Sequence, residues 1–113
     1  MKLLIYTPLM RLYGRALQSI LRLKWDGPVD VVFARGDDST CPRDNYAKVV
    51  AKYQRGRDIL LAGDYDAMLT VEDDMIVPPD AAQRLWATGA DVAYGLYVWR
   101  RDRNHLWSAY TEL

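Results

Sequence analysis

Short apolar runs alternate along the chain with longer segments in which apolar residues recur every three or four positions. The short runs lie at residues 2–6, 29–33 and 67–71, and each is followed by turn residues, which predicts three buried strands. A fourth strand is predicted over residues 91–98 and an edge strand in the closing sequence LWSAYTEL.

The longer segments predict helices. The apolar face of the first consists of Leu12, Tyr13, Ala16, Leu17, Ile20 and Leu21. A second helix should begin near Asp44 and stop at Gly63, although Gly56 inside this segment argues against one unbroken helix. A third should run from Pro79 to about Ala87, since proline suits a first helical turn.

Strands that alternate with helices predict a single α/β domain, in which a mostly parallel sheet forms the middle of three α/β/α layers. Right-handed crossovers place the first strand between the second and third. Ligands of such sheets bind outside the carboxyl ends of the strands, where the winding reverses. Three predicted loops meet there: Thr7-Pro8, the sequence GDDST at residues 36–40, and the acidic residues 72–74.

Composition excludes several classes of protein. Of the 113 residues, 15 are basic and 15 acidic, which gives no electrostatic support for a nucleic-acid partner. The sequence has a single cysteine, Cys41, and a single histidine, His105, which excludes a thiolate or multi-histidine metal site. Because Cys41 cannot form an internal disulfide, a reducing compartment is favoured. The apolar N-terminus is too short to span a bilayer and lacks a cleavage site, so we expect no membrane span and a cytoplasmic protein.

The most informative stretch is LTVEDDMIVPPD, residues 69–80, where a predicted strand ends in three adjacent carboxylates. Their mutual repulsion predicts a bound cation. Residues two apart on an extended segment face the same side, so Glu72 and Asp74 would face one ligand. Their hard oxygens suit Mg²⁺ or Mn²⁺ held together with a diphosphate. The same acids would also suit a solvated turn that caps the helix near Pro79.

The sequence YDAMLTVEDDMIVPPDAAQRL, followed by ADVAYGLYVWRR, resembles the core of nucleotide-sugar-dependent glycosyltransferases with the GT-A fold. In that family a strand ends in a DXD motif, and a short helix and a GLY strand follow. Glu72, Asp73 and Asp74 fall on the three motif positions as an E-D-D version. GDDST resembles the family-two loop DDGST, although the Gly between its acids is absent. The resemblance covers most of residues 2–100.

The resemblance implies a hexosyltransferase-like enzyme that moves a sugar from a nucleotide diphosphate sugar to an unknown acceptor with Mn²⁺ or Mg²⁺. It implies that Asp74 ligates the metal, that Glu72 contacts the ribose or supports the metal, and that Asp73 lies close to the sugar or the metal. Thr7 and Pro8 would border the base pocket.

Further roles are implied on the same basis. Asp37 and Asp38 would contact the base, although a turn rich in Asp and Ser is the commoner explanation of such a loop. Asn45 matches half of a family Arg-Asn pair, and helix capping is its alternative role. Independently of the resemblance, Arg11 and Arg15 follow the first strand and could reach a phosphate, or they lie on the wet face of a helix. His105 is a candidate third metal ligand or an exposed loop histidine.

The acceptor and the catalytic base remain open at this point, because family members continue beyond the GLY strand whereas this sequence ends at Leu113. We expect a minimal enzyme, a core that needs a partner, or a fragment. From a different class, a non-catalytic nucleotide-binding or assembly module also fits. Its aromatic C-terminus, with Trp99, Trp107 and Tyr110, would pack in the core or against a second copy in a homodimer.

Overall fold

The structure is a computed structural model that describes residues 1–35 and 45–95. Strands and helices alternate along it, as the sequence predicts for an α/β protein. The elements are β1 (Leu3–Pro8), α1 (Gly14–Leu21), β2 (Val29–Ala34), α2 (Asn45–Ala62), β3 (Ala67–Thr70) and α3 (Ala81–Trp86).

In the part of the chain that the structure describes, three strands form one parallel sheet with the order β2-β1-β3. Ile5 of β1 pairs with Val31 on one side and Leu69 on the other. The predicted central position of the first strand is therefore confirmed. Residues 3–6 are apolar without interruption because a central parallel strand is buried on both faces.

Helices pack on both faces of β1 through two apolar clusters. The cluster shared with α1 and α3 contains Leu3, Ile5, Ile20, Val71 and Ala82. The cluster shared with α2 contains Leu4, Tyr6, Ala34 and the partly buried Ile59 and Leu60. Alternate residues of one strand thus enter opposite clusters, as the pleat of a strand requires.

Two boundaries at the carboxyl end of the sheet differ from prediction. Thr7 and Pro8 belong to β1 and not to a loop, because they continue the register with Phe33 and Ala34 of β2. The amide of Leu9 then donates to the carbonyl of Ala34 at 2.7 Å, so the chain leaves the sheet only after this bond. The first helix begins at Gly14 and not at Leu12.

Gly56 does not interrupt the second helix, since α2 is a continuous helix of 18 residues. Gly56 lies where the helix crosses the buried ring of Tyr6, and a Cβ atom there would stand 2.8 Å from two ring carbons. The Tyr6 hydroxyl donates to the carbonyl of Lys52 in the same helix. Glycine is therefore required by close packing. The predicted stop at Gly63 is confirmed.

The predicted start of a fourth strand at Asp91 is wrong for residues 91–95, which form no strand. The remainder of that prediction, residues 96–98, and the predicted edge strand near the C-terminus lie outside the described residues. Within residues 1–35 and 45–95, no helix has both the length and the apolar character needed to cross a bilayer.

Candidate functional site

The carboxylate of Asp73 stabilises the turn that follows β1. Its Oδ2 atom accepts hydrogen bonds from the backbone amides of Met10 and Arg11, each at 2.8 Å. Asp73 is 6% exposed, whereas Met10 and Arg11 are exposed, so these bonds are partly buried. A carboxylate oxygen that accepts two amide protons forms charge-assisted bonds, which are stronger than neutral ones. The middle acid of the E-D-D sequence therefore holds a turn more than 60 residues earlier in the chain.

Glu72 and Asp74 lie on either side of this anchored carboxylate. The segment is not extended, because residues 73 and 74 form a turn in which the Met75 amide donates to the Glu72 carbonyl at 3.2 Å. The alternation of side chains along a strand therefore does not decide which way Glu72 and Asp74 face. All three acids nevertheless line one depression of about 200 Å³, together with Pro8, Met10, Arg11, Val49, Lys52 and Tyr53.

A second, larger depression of about 520 Å³ adjoins the acidic one. Its described lining consists of Leu9, Met10, Arg11, Leu12, Arg35, Lys48 and Lys52. Met10, Arg11 and Lys52 belong to both linings. The volume is within the range of small-molecule sites, roughly 300–1,000 Å³. Acidic and basic side chains therefore line neighbouring depressions at the carboxyl end of the central strand.

Glu72 carries negative charge that no described residue neutralises with an ion pair. Its carboxyl group is partly withdrawn from water although the residue as a whole is exposed. This desolvation, followed by the charges of Asp74 and Asp73, raises the pKa of Glu72. At the opposite end of the sheet, by contrast, a hydrogen bond from Lys2 lowers the pKa of Asp64. The charge of Glu72 is thus less compensated than that of Asp64, although Arg11 and Lys52 also line the acidic depression.

Substituting Glu72 with glutamine should raise the melting temperature at about pH 8 and change it little at about pH 4. A raised pKa means that the folded state holds the Glu72 proton more tightly than the unfolded chain does. The resulting stability is present below the ordinary pKa of glutamate and is lost as the pH rises through the folded pKa. Glutamine removes the charge that causes this loss.

Thermal unfolding of Glu72→Gln and the unsubstituted protein across this pH range measures the difference. Asp80→Asn is a suitable control, because Asp80 is exposed and its side chain makes no capping hydrogen bond to α3. A gain from Glu72→Gln that is equal at both pH values would contradict the electrostatic explanation.

The other predicted site residues lie in different parts of the structure. Thr7 is completely buried within β1, and its hydroxyl has no hydrogen-bond partner among the described atoms, whereas Pro8 lines the acidic depression. Asn45 is the first residue of α2. Arg15 is exposed on α1 and lines neither depression, unlike Arg11. The remaining candidates, Asp37, Asp38 and His105, lie outside the described residues.

Sequence reasoning missed three basic residues of the larger depression: Arg35, Lys48 and Lys52. Arg35 directly follows β2, so the rule that ligands bind beyond the carboxyl ends of strands would have selected it. Lys48 and Lys52 are one helical turn apart on α2 and therefore share a face. Their spacing was visible in the sequence, but which face points toward the sheet was not.

No cluster of three or more His, Cys, Asp or Glu side chains arranged to hold a metal ion occurs within residues 1–35 and 45–95. Glu72 and Asp74 both line the acidic depression, and Oδ2 of Asp73 is already bonded to backbone amides. Two carboxylates fit the manner in which Mg²⁺ is usually bound, by one or two carboxylates together with ligand phosphates.

Comparison of the chain with models of protein families, with curated proteins and with solved structures found no match. The resemblance to GT-A glycosyltransferases therefore depends on the quoted motifs alone.

Proposed function

We propose that the protein is a metal-dependent glycosyltransferase with a three-layer, GT-A-like core, which binds a nucleotide diphosphate sugar and transfers the sugar to an acceptor. One observation carries the proposal: an acidic and a basic depression adjoin at the carboxyl end of β1. A diphosphate with a divalent cation has the matching charges, since its oxygens suit basic side chains and its cation suits carboxylates.

In this proposal Glu72 and Asp74 hold Mn²⁺ or Mg²⁺. When bound, the ion acts as a Lewis acid that neutralises charge on the diphosphate leaving group. Arg35 and Lys48 bind the diphosphate oxygens, and Asp73 keeps the turn between the two depressions in place. These charges are positioned before the reaction, so little reorganisation is needed as the leaving group becomes more negative.

The roles of three residues in the proposal come from the resemblance alone. Asp37 and Asp38 contact the nucleotide base, and His105 supplies a third metal ligand. Thr7 is given no contact with the base, because its buried side chain lies within the sheet.

Replacing Asp74 with alanine should abolish the metal-dependent stabilisation of the protein by a nucleoside diphosphate. In the unsubstituted protein, uridine or guanosine diphosphate with Mn²⁺ at about 100 times the dissociation constant should add about 2.7 kcal/mol to the unfolding free energy. The nucleotide without Mn²⁺ should add much less, because the carboxylates would repel it. Differential scanning fluorimetry with and without Mn²⁺ measures both effects.

Asp80→Ala is the matched control, since Asp80 is an exposed aspartate of the same stretch and lies outside both depressions. It should retain the full metal-dependent shift. If Asp74→Ala retained that shift as well, the assignment of Asp74 as a metal ligand would be wrong.

A panel of nucleotide sugars with Mn²⁺, scored for binding and for release of nucleoside diphosphate, tests the enzymatic part of the proposal. Release is expected for the sugar nucleotide that binds. Binding without release, in the presence of candidate acceptors, would instead favour the non-catalytic nucleotide-binding module. Absence of binding by the whole panel would remove both functions.

A further inference from the structure

Arg11 occupies the boundary between the acidic and the basic depression. Its guanidinium group lies 3.9 Å from Oδ2 of Asp74, and it lies over the ring of Tyr13 at 5.4 Å. Its backbone amide is held independently by Asp73. The main chain of Arg11 is thus anchored, whereas its side chain is 58% exposed.

The Arg11–Asp74 ion pair is long and largely exposed, and pairs of this kind contribute little to stability. It nevertheless places a positive charge beside a carboxylate that, in the proposed function, binds a divalent cation. Two cations at one carboxylate repel each other, so Arg11 and the metal compete. A diphosphate in the basic depression would offer the guanidinium a stronger, bidentate partner.

We infer that Arg11 couples metal binding to diphosphate binding by alternating between Asp74 and the diphosphate. Without a diphosphate, Arg11 is a counter-ion of Asp74 and weakens the binding of a free divalent cation. With a diphosphate, Arg11 turns to the phosphate oxygens and no longer competes with the metal at Asp74. Since coupling between two ligands is reciprocal, the metal in turn strengthens diphosphate binding. The inference rests on the proposed function and adds how its two ligands affect each other's binding.

Arg11→Gln tests the inference because it should move two affinities in opposite directions. Binding of Mn²⁺ alone, followed by the electron paramagnetic resonance signal of the free ion, should strengthen about two- to fivefold when the competing charge is removed. Binding of uridine or guanosine diphosphate at saturating Mn²⁺, measured by calorimetry, should weaken about tenfold because a charged phosphate contact is lost.

Two further variants separate charge from geometry and from general effects. Arg11→Lys keeps the positive charge, so Mn²⁺ alone should bind as in the unsubstituted protein, while the diphosphate should still bind more weakly without a bidentate donor. Arg15→Gln removes an exposed arginine four residues further along the chain that lines neither depression, and it should change neither affinity.

The outcomes distinguish this inference from the proposed function. If the unsubstituted protein binds the diphosphate with Mn²⁺ but Arg11→Gln weakens both affinities, or leaves that for Mn²⁺ unchanged, the coupling role of Arg11 is overturned and the proposed function stands. If the unsubstituted protein binds no diphosphate with Mn²⁺, the proposed function is overturned together with the inference. Opposite changes in the two affinities support both.

Discussion

Asp73→Ala should lower the free energy of unfolding by about 3 kcal/mol, the largest effect we expect from one substitution at this site. The alanine removes the acceptor of two hydrogen bonds from the amides of Met10 and Arg11. Hydrogen bonds to a charged group contribute about 1.5–3 kcal/mol each, and the partial exposure of this turn places the sum near the lower end. Urea denaturation with an unchanged m-value measures the loss.

Asp73→Asn separates the loss of the charge from the loss of the acceptor, because an amide oxygen can still accept both protons but carries no formal charge. It should lose roughly half as much stability as Asp73→Ala. Asp80→Ala, at an exposed aspartate seven positions further on, should cost about 0.5 kcal/mol or less. If the alanine variants at positions 73 and 80 were equally stable, the hydrogen bonds to the turn would not contribute as described.

The second large effect is expected at Gly56, where substitution by alanine should destabilise the protein by about 2 kcal/mol. In most helices the same change stabilises, by about 0.8–1.0 kcal/mol, because alanine loses less backbone entropy than glycine. Here the added methyl group would lie 2.8 Å from the Tyr6 ring. That ring is completely buried and cannot move aside without disturbing the centre of the sheet.

Gly14→Ala is the matched control, since Gly14 is the first residue of α1 and an added Cβ atom there meets nothing within 4 Å. It should be neutral or stabilise slightly. A second test replaces Tyr6 with leucine in the Gly56→Ala background, where the combined loss should be smaller than the sum of the single losses. Stabilisation by Gly56→Ala would show that α2 does not pack this closely on β1.

The candidate site could be predicted from the sequence in position but not in detail. The three acids end a strand, and the carboxyl ends of parallel strands are where ligands bind, so their location followed from local pattern. That Asp73 holds the turn after β1 did not follow. Oδ2 of Asp73 accepts hydrogen bonds from amides more than 60 residues away, and no spacing rule reports a contact of that range.

Arg11 is a second residue whose place in the site could not be predicted from the local sequence. Arg11 and Arg15 have equivalent sequence contexts at the start of a predicted helix, and both were candidates for a phosphate contact. The helix begins only at Gly14, so Arg11 remains in the turn held by Asp73 and faces Asp74. Arg15 lies on the exposed side of α1.

The sequence by itself determined the alternation of strands and helices and the central place of β1 in a parallel sheet. It also determined that three acids lie at the carboxyl end of that sheet. Hydrophobic periodicity reports which residues are buried, and the handedness of crossovers then restricts the strand order. Only the tertiary structure decided that Gly56 accommodates the Tyr6 ring, that Asp73 holds the turn after β1, and that α2 brings Lys48 and Lys52 beside it. Each of these depends on the distance between residues far apart in the chain, which is set by packing and not by local pattern.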